Sequence, residues 1–185
     1  VTRCDSTSNA SFTAIATGTG LTYQWQLNTG SGWNNLVNNS TYSGVTTTTL
    51  MLPNVYFSMN GYQYRCEVTG TCAIVTSGTA TLTVNPIVTP TVTIAASNTD
   101  ICAGASVTFT ATPTNGGTGP TYQWKKNGVN IATGASFATA TIANNDIFKC
   151  EMTSNATCPS PKIAHSNQLT MQVTQYVTAT IAITS

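Results

Sequence analysis

The chain has 185 residues, of which only 6% are charged, and its formal net charge is +1. This balance offers no basic face for a phosphate backbone, so nucleic acid is not an expected partner. No apolar run approaches the roughly eighteen residues that a membrane-spanning helix needs, so no membrane insertion is expected. The chain contains 38 threonines, many alternating with apolar residues, which favours β-strands because β-branched side chains suit a pleated surface. We predict an all-β chain with almost no helix.

The first half of the sequence predicts a series of short strands separated by Gly-rich turns. These strands are, in order, 11–16, 22–27, an edge strand at Trp33, 46–52, 62–69 and 79–84. Only Val1–Cys4 precede the first of them. The first strand of this half is therefore expected to be missing.

The second half repeats the plan after a short linker. Pro86 and Pro90 lie in this linker and restrict the backbone on either side of it. One additional strand opens this half, and a type I′ hairpin is expected at Asn127-Gly128. The predicted strands are 88–97, 106–111, a strand around 122–124, 147–153 and 166–173. The last residues, 176–183, repeat the pattern of 88–95, so 176–185 is predicted to begin a third module.

Both halves contain the same arrangement of aromatic and cysteine residues. Tyr-Gln-Trp occurs at 23–25 and again at 122–124, between an alternating strand and a downstream cysteine that has an aromatic residue two positions before it. This order is typical of an immunoglobulin-like sandwich, in which the tryptophan packs across the core. We predict two tandem immunoglobulin-like β-sandwiches, module 1 at 1–86 and module 2 at 87–175. The expected core aromatics are Trp25, Tyr64, Trp124 and Phe148.

Tyr64 lies where a tyrosine corner would be, so its hydroxyl is expected to bond the backbone near Asn60. Trp33 has no counterpart in module 2, and two interpretations of it stay open. It is either a platform for a sugar ring or a cover for the open edge of the core.

Cysteines are distributed three per module. They are Cys4, Cys66 and Cys72, then Cys102, Cys150 and Cys158. Matching positions indicate a disulfide framework and hence an oxidising, extracytoplasmic compartment. Zinc is disfavoured, because the short Cys-x-x-Cys ligand spacing is absent and there is one histidine. Standard sandwich geometry favours Cys4–Cys66 and Cys102–Cys150, since it places the first and third cysteines at opposite ends and a cystine needs Cα atoms about 4.4–6.8 Å apart.

The supply of catalytic groups is small: one histidine, five acids and six bases over both halves. Neither Gly-x-Ser-x-Gly nor paired carboxylates occur. The sequence predicts no enzyme, no catalytic residues, no metal site and no cofactor.

Several segments resemble the Ig-like repeats of very large surface adhesins of Bacteroidota. In module 2 these are Ile101-Cys102-Ala103-Gly104, the run 122–128 and the run 153–158. In module 1, the run 62–66 with Gly70-Thr71-Cys72 resembles a sister repeat. The resemblance implies export by the type IX secretion system, an extracellular or outer-surface location, and a role in surface adhesion or gliding. It further implies that such repeats serve mainly as spacers between neighbouring modules of the same chain, with a surface polysaccharide or protein as a compatible ligand.

The resemblance also implies a disulfide pairing that differs from the geometric one. Relatives with two cysteines keep the first and the last, which implies Cys4–Cys72 and Cys102–Cys158. Cys66 and Cys150 would then be buried free thiols. This is the pairing we predict.

Two further expectations concern sugars. Asp5-Ser6-Thr7 resembles a short acceptor site for O-glycans in these bacteria, with Ser6 as the candidate acceptor. The alternative function is that of carbohydrate-binding accessory modules of a secreted polysaccharide-degrading enzyme, with Trp33 as the ligand platform.

Overall fold

The alternation of threonine with apolar residues produces strands along most of the chain. The structure is a computed structural model that describes residues 1–6, 8–177 and 181–183. The single helical element among these residues is the 3-10 turn Phe57–Met59. The prediction of an all-β chain is confirmed.

Two compact units make up the chain, Val1–Ile87 and Val88–Ser185. We call them unit 1 and unit 2. Unit 1 contains β1 (Thr2–Cys4), β2 (Ala10–Thr13), β3 (Thr22–Asn28), β4 (Trp33–Asn35), β5 (Thr49–Leu52), β6 (Gln63–Thr69), β7 (Ile74–Thr76), β8 (Ala80–Thr81) and β9 (Thr83–Asn85). Unit 2 contains β10 (Thr91–Ala96), β11 (Asp100–Cys102), β12 (Val107–Thr114), β13 (Thr121–Lys126), β14 (Val129–Thr133), β15 (Ser136–Thr139), β16 (Ile147–Thr153), β17 (Ile163–His165), β18 (Leu169–Thr170) and β19 (Gln172–Thr174).

Each unit is a sandwich of two antiparallel sheets over its own apolar core. In unit 1 the larger sheet has the order β4-β3-β6-β7, and β2-β5 forms the facing sheet. In unit 2 the corresponding orders are β14-β13-β16-β17 and β10-β12-β15. A short strand that ends at the first cysteine of its unit, β1 or β11, pairs in parallel with the last strand of that unit, β9 or β19. This is the arrangement expected of an immunoglobulin-like sandwich.

Stacked aromatic rings join the two sheets at the centre of each core. Phe12 stacks on Tyr64 with ring centroids 4.7 Å apart, and Phe109 stacks on Phe148 at 4.2 Å. Trp25 and Trp124 pack beside these pairs and are buried. Rings of this kind contribute beyond their buried area when they are offset or tilted.

The repeated tryptophan is fixed by a hydrogen bond as well as by packing. The indole N–H of Trp25 donates to the Thr47 carbonyl at 2.9 Å, and that of Trp124 donates to the Gly134 carbonyl at 2.9 Å. A buried indole N–H needs such a partner. Both tryptophans therefore have the same orientation in their cores.

The repeated glutamine has an equally specific role. The Gln24 Nε2 group donates to the Leu36 carbonyl at 3.0 Å, and the Gln123 Nε2 group donates to the Ala132 carbonyl at 3.0 Å. In each unit the amide thus ties the tryptophan strand to the chain at the sheet edge. These bonds explain why the glutamine and the tryptophan recur together in both units.

Strand β2 of unit 1 is shorter than predicted. We expected a strand over 11–16, whereas β2 ends at Thr13. Its counterpart β12 continues to Thr114 because β10 pairs with it over 109–114. Among the described residues of unit 1 no strand pairs with that edge of β2, so the ladder ends where its contact with β5 ends.

The last strand begins earlier than predicted in both units. β7 and β17 pair with β6 and β16, in segments we expected to be loop. A serine then interrupts the strand: Ser77 Oγ accepts from the Cys66 N–H at 2.9 Å and donates to the Gly78 carbonyl. Ser166 Oγ does the same with the Cys150 N–H at 2.8 Å. The serine hydroxyl takes the place of a backbone carbonyl of the neighbouring strand, so strand pairing resumes after the serine.

The tyrosine corner predicted for Tyr64 does not form. The Tyr64 ring is fully buried, and its hydroxyl has no hydrogen-bond partner among the described residues. Burial, and then the neighbouring Tyr42, raise the Tyr64 pKa far above its ordinary value. The corner is held by Asn60, whose Oδ1 accepts from the Val84 N–H at 2.9 Å. In unit 2, Asn144 Oδ1 accepts from the Val173 N–H at 3.0 Å in the same way. The sequence pattern did not indicate this role of the two asparagines.

Replacing Tyr64 with phenylalanine is expected to stabilise unit 1 by about 1 kcal/mol, because it removes a buried, unpartnered hydroxyl and keeps the ring. Unit 2 has Phe148 at the matching position. Hydrogen exchange of unit 1 amides in urea measures the change, and Tyr62→Phe, on a half-buried ring, is the control. A loss of stability in Tyr64→Phe would show that the hydroxyl makes a stabilising bond.

Candidate functional site

A groove lies beside the edge of β2 in unit 1. We call it the open groove. It has a volume of about 1020 Å³. Its apolar lining includes Phe12, Ala14, Leu21, Val68, Val75 and Ala80.

In unit 2 the matching surface is covered by β10. The register pairs Val92 with Pro113 and Ile94 with Ala111, and both β10 side chains are buried. Val75 and Ala164 occupy equivalent positions, because they pair with Val68 and Met152 on the neighbouring strand. The Val75 residue is 64% exposed, whereas Ala164 is 6% exposed. The open groove is therefore the place that a first strand occupies in unit 2.

The backbone at the rim of the open groove presents unpaired groups. The Ala14 N–H donates to the Thr48 carbonyl at 2.8 Å, so residue 14 faces β5. Alternate residues of an antiparallel strand face opposite neighbours. The amide group of Thr13, the last residue of β2, consequently points away from β5 and towards the open edge.

Trp33 lies on the outer face of the larger sheet of unit 1, outside the core cluster. The Arg65 guanidinium lies over its ring, 4.3 Å from the centroid. Arg65 Nε also donates to Gln26 Oε1 at 2.7 Å, and Gln26 Nε2 donates to Asn35 Oδ1 at 2.8 Å. The interpretation of Trp33 as a core cover is wrong. The ring belongs to a polar surface, and the arginine occupies one of its two faces.

Four of the six cysteines are free thiols. Cys66 and Cys150 are buried in the two cores, while Cys72 and Cys102 are exposed. Cys4 and Cys158 are disulfide-bonded. The predicted cystines Cys4–Cys72 and Cys102–Cys158 are therefore absent, and so are Cys4–Cys66 and Cys102–Cys150.

The register within unit 1 explains why the first and third cysteines do not pair. Cys4 pairs with Asn85 at the end of β9, four residues beyond Thr81, which pairs with Gln63 at the start of β6. Cys72 follows the other end of β6. The intervening strand alone is about 20 Å long, and a cystine needs Cα atoms about 4.4–6.8 Å apart. Unit 2 repeats this register with Cys102 beside Thr174.

Thiol labelling with Ellman's reagent is expected to modify two groups per chain in the native protein and four in denaturant. The exposed pair is Cys72 and Cys102. Burial raises the pKa of Cys150 to about 11 and also raises that of Cys66, so both stay protonated and shielded at pH 8. The variant C72S/C102S should lose the native reaction. Rapid labelling of four native thiols would contradict the buried positions.

The remaining predicted features bring together no metal or catalytic cluster. Ser6 is exposed, and its hydroxyl donates to Asp5 Oδ1 at 2.9 Å, while Thr7 lies outside the described residues. Its glycosylation stays a prediction. Among the described residues no group of three His, Cys, Asp or Glu converges. In the part of the chain that the structure describes, no helix is long and apolar enough to cross a membrane.

Comparison with known proteins relates the chain to immunoglobulin-like domains. Residues 88–174 match the family described as "Ig-like domain CHU_C associated". No curated protein matches the chain by sequence.

Among solved structures, the chain is similar to the N-terminal four Ig domains of Dscam1 isoform 1.9, with 15% identity and a TM-score of 0.42, over 94% of this chain and 43% of that one. It is also similar to murine CEACAM1b, with 15% identity and a TM-score of 0.46, over 94% and 96% of the two chains. The chain thus spans less than half of the Dscam1 structure it matches. These likenesses concern the fold alone.

Proposed function

We propose that the two units are repeat modules of a long extracellular bacterial adhesin and act as spacers that support surface adhesion or gliding. The observation that carries the proposal is the tandem repetition of one internal frame, with the same glutamine, tryptophan, serine and asparagine bonds in each unit. The family match of residues 88–174 supports it. So does the resemblance of the cysteine and Tyr-Gln-Trp segments to Bacteroidota adhesin repeats, from which type IX export and outer-surface display follow as part of the proposal.

A spacer needs modules that keep their fold when their neighbours are stretched. Each unit has a core cluster of its own, and each closes its corner with its own asparagine bond. Arrays of this kind gain their stability module by module. The frame is thus suited to repetition along an extended chain.

Force spectroscopy on the chain tests the spacer role. It is done with a reductant present, so that no cystine limits extension. Two separate unfolding events are expected, each lengthening the chain by about 30 nm, since an unfolded residue spans up to about 3.6 Å. Continuous lengthening at low force, with no discrete event, would contradict a mechanical spacer.

Antibodies against the chain test its location. They are expected to label intact cells of the source organism without permeabilisation. Labelling that requires permeabilised cells would overturn the extracellular proposal. A cytoplasmic protein that is labelled in parallel controls for cell integrity.

A second function, carbohydrate binding, is favoured by the polar surface around Trp33. The half-buried Trp33 ring beside Arg65, Gln26 and Asn35 offers its remaining face for stacking, and its neighbours offer hydrogen bonds to a sugar. Titration with soluble polysaccharides would then change tryptophan fluorescence saturably in the native chain and not in Trp33→Phe. An unchanged signal across the panel leaves the spacer role as the function that the geometry supports.

A further inference from the structure

We propose that the outer face of the larger sheet of unit 2 binds the carboxylate groups of an acidic polysaccharide through Lys125 and Lys149. This inference goes beyond the spacer role, because it names a binding site and the class of its ligand. The site is also separate from the surface around Trp33, which belongs to unit 1.

Two lysines lie directly opposite each other on neighbouring strands of this sheet. Lys125 of β13 pairs with Lys149 of β16, one step along the register from the buried pair Trp124 and Cys150. Because side chains alternate along a strand, both lysines project from the outer face. Like charges directly opposite each other destabilise a sheet. The lysine pair therefore lowers the stability of unit 2.

Unit 1 shows that the shared frame does not require such a pair. Matching the two units through the buried tryptophan and cysteine places Gln26 and Arg65 at the positions of the two lysines. Arg65 Nε donates to Gln26 Oε1 at 2.7 Å, so the pair in unit 1 is attractive. A pairing rule that is broken with no gain in stability indicates a functional site.

A single carboxylate faces the two lysines. Lys125 Nζ lies 2.6 Å from Glu151 Oε1, and the same oxygen lies 3.5 Å from His165 Nδ1. The Lys149 side chain is exposed and forms no ion pair or hydrogen bond with the residues that the structure describes. The face thus keeps an excess of positive charge at Lys149, which an anion from outside the chain can balance.

A pocket of about 410 Å³ lies beside the two lysines. It is lined by Lys125, Asn127, Gly128, Ile147, Lys149 and Gln168. The hairpin wall of the pocket is fixed, because Asn127 Nδ2 donates to Asp146 Oδ1 at 2.7 Å and the Ile147 N–H donates to Asn127 Oδ1 at 2.8 Å. A site that is already ordered loses less conformational entropy when a ligand binds.

The groups in the pocket favour a sugar over a peptide or a nucleic acid. β13 and β16 each pair with a strand on both sides, so their backbones are not free to add a peptide strand. None of the residues that line the pocket is aromatic, so a nucleic-acid base has no ring on which to stack.

Three kinds of group remain for recognition, and an acidic polysaccharide matches each of them. The ammonium groups of Lys125 and Lys149 bind carboxylates. The Gln168 amide can both donate to and accept from sugar hydroxyls. The half-buried Ile147 side chain offers an apolar surface to the C–H groups of a sugar ring.

Isothermal titration calorimetry with polygalacturonate tests the site. The native chain is expected to bind with an affinity that falls as salt is added, and Lys149→Gln should weaken binding at least about tenfold. Lys162→Gln is the matched control, because it removes the same charge from an exposed lysine outside the pocket. It should leave the affinity unchanged. No binding by the native chain, or an equal loss in both variants, would overturn the proposal.

Three further probes test the class of ligand. Fully methyl-esterified polygalacturonate has the same sugar backbone without charge, and polyaspartate and a single-stranded oligothymidylate carry negative charge on a peptide and on a nucleic acid. Each is expected to bind at least about tenfold more weakly than polygalacturonate. Equal binding of the ester would overturn the role of the carboxylates. Equal or tighter binding of polyaspartate or the oligonucleotide would overturn the polysaccharide as ligand.

Urea unfolding of Lys149→Gln separates loss of a ligand site from loss of the fold. The variant removes the repulsion from Lys125, so unit 2 is expected to be as stable as in the native chain or more stable. A clearly less stable unit 2 would show that Lys149 supports the fold, and would contradict the argument from the repulsive pair. None of these outcomes bears on the force and antibody tests of the spacer role.

Discussion

Replacing Trp124 with alanine is expected to lower the free energy of unfolding of unit 2 by about 4 kcal/mol. The side chain is fully buried, lies 6.1 Å from Phe109 and 5.0 Å from Phe137 between ring centroids, and donates to Gly134. Its removal leaves a cavity at the centre of the core and an unpaired carbonyl. A domain of this size has about 5–15 kcal/mol of stability, so much of the margin is lost.

Hydrogen exchange in increasing urea measures this change for unit 2 separately. Trp33→Ala, measured on the amides of unit 1, is the control, since Trp33 lies outside the core of that unit and loses mainly its contact with Arg65. The control is expected to change stability by about 1 kcal/mol or less. If both variants lose the same amount, Trp124 does not organise the core.

Asp146→Asn is expected to destabilise unit 2 by about 2 kcal/mol, because the carboxylate is buried and receives several bonds. Lys126 Nζ lies 2.7 Å from Oδ2, the Ala143 N–H donates to Oδ2 at 2.7 Å, and Asn127 Nδ2 donates to Oδ1 at 2.7 Å. An asparagine side chain has no charge to attract the Lys126 ammonium group. Its NH₂ group would also face N–H donors, which it cannot accept from. The hairpin at Asn127 and the preceding turn would lose their common anchor.

The pH dependence of this variant follows from the Asp146 pKa. Burial raises that pKa, but the bonds from Lys126, Ala143 and Asn127 and the lysine charge outweigh burial, and the net pKa is lowered. The stabilisation is therefore present above the unfolded pKa of about 3.9 and is lost as the pH falls through the folded value. The difference between native and variant unfolding free energies should shrink at low pH. Asp100→Asn, on an exposed carboxyl, is the control variant and should change the unfolding free energy of unit 2 little.

The central strands could be predicted from the sequence because their signals are local. Alternating threonines and a bulky Tyr-Gln-Trp gave β3 and β13, and Asn127-Gly128 gave the hairpin, where both residues have the positive φ values, 52° and 84°, of a type I′ turn. The early start of the last strand was missed, since Ser77 replaces a ladder bond with its side chain. The local sequence pattern does not show that a serine side chain takes the place of a backbone hydrogen bond.

Features that depend on distant partners were predicted less well. The length of β2 depends on whether a strand lies beside it, which its own residues do not encode. The cystine pairing depends on the parallel register of β1 with β9, which places Cys4 at the end of unit 1 away from Cys72. The open groove follows from the same absence of a paired strand, so it became visible only with the neighbouring sheets in place.

The central claim is that the two units share one frame, in which a serine and an asparagine side chain hold the same backbone amides in each unit. Amide hydrogen exchange resolved by NMR tests it most directly, on the Cys66 and Val84 amides of unit 1 and the matching Cys150 and Val173 amides of unit 2. All four amides are expected to exchange slowly, and Ser77→Ala and Ser166→Ala should each speed exchange of the cysteine amide in its own unit alone. Rapid exchange of these amides in one unit and not in the other would contradict the claim.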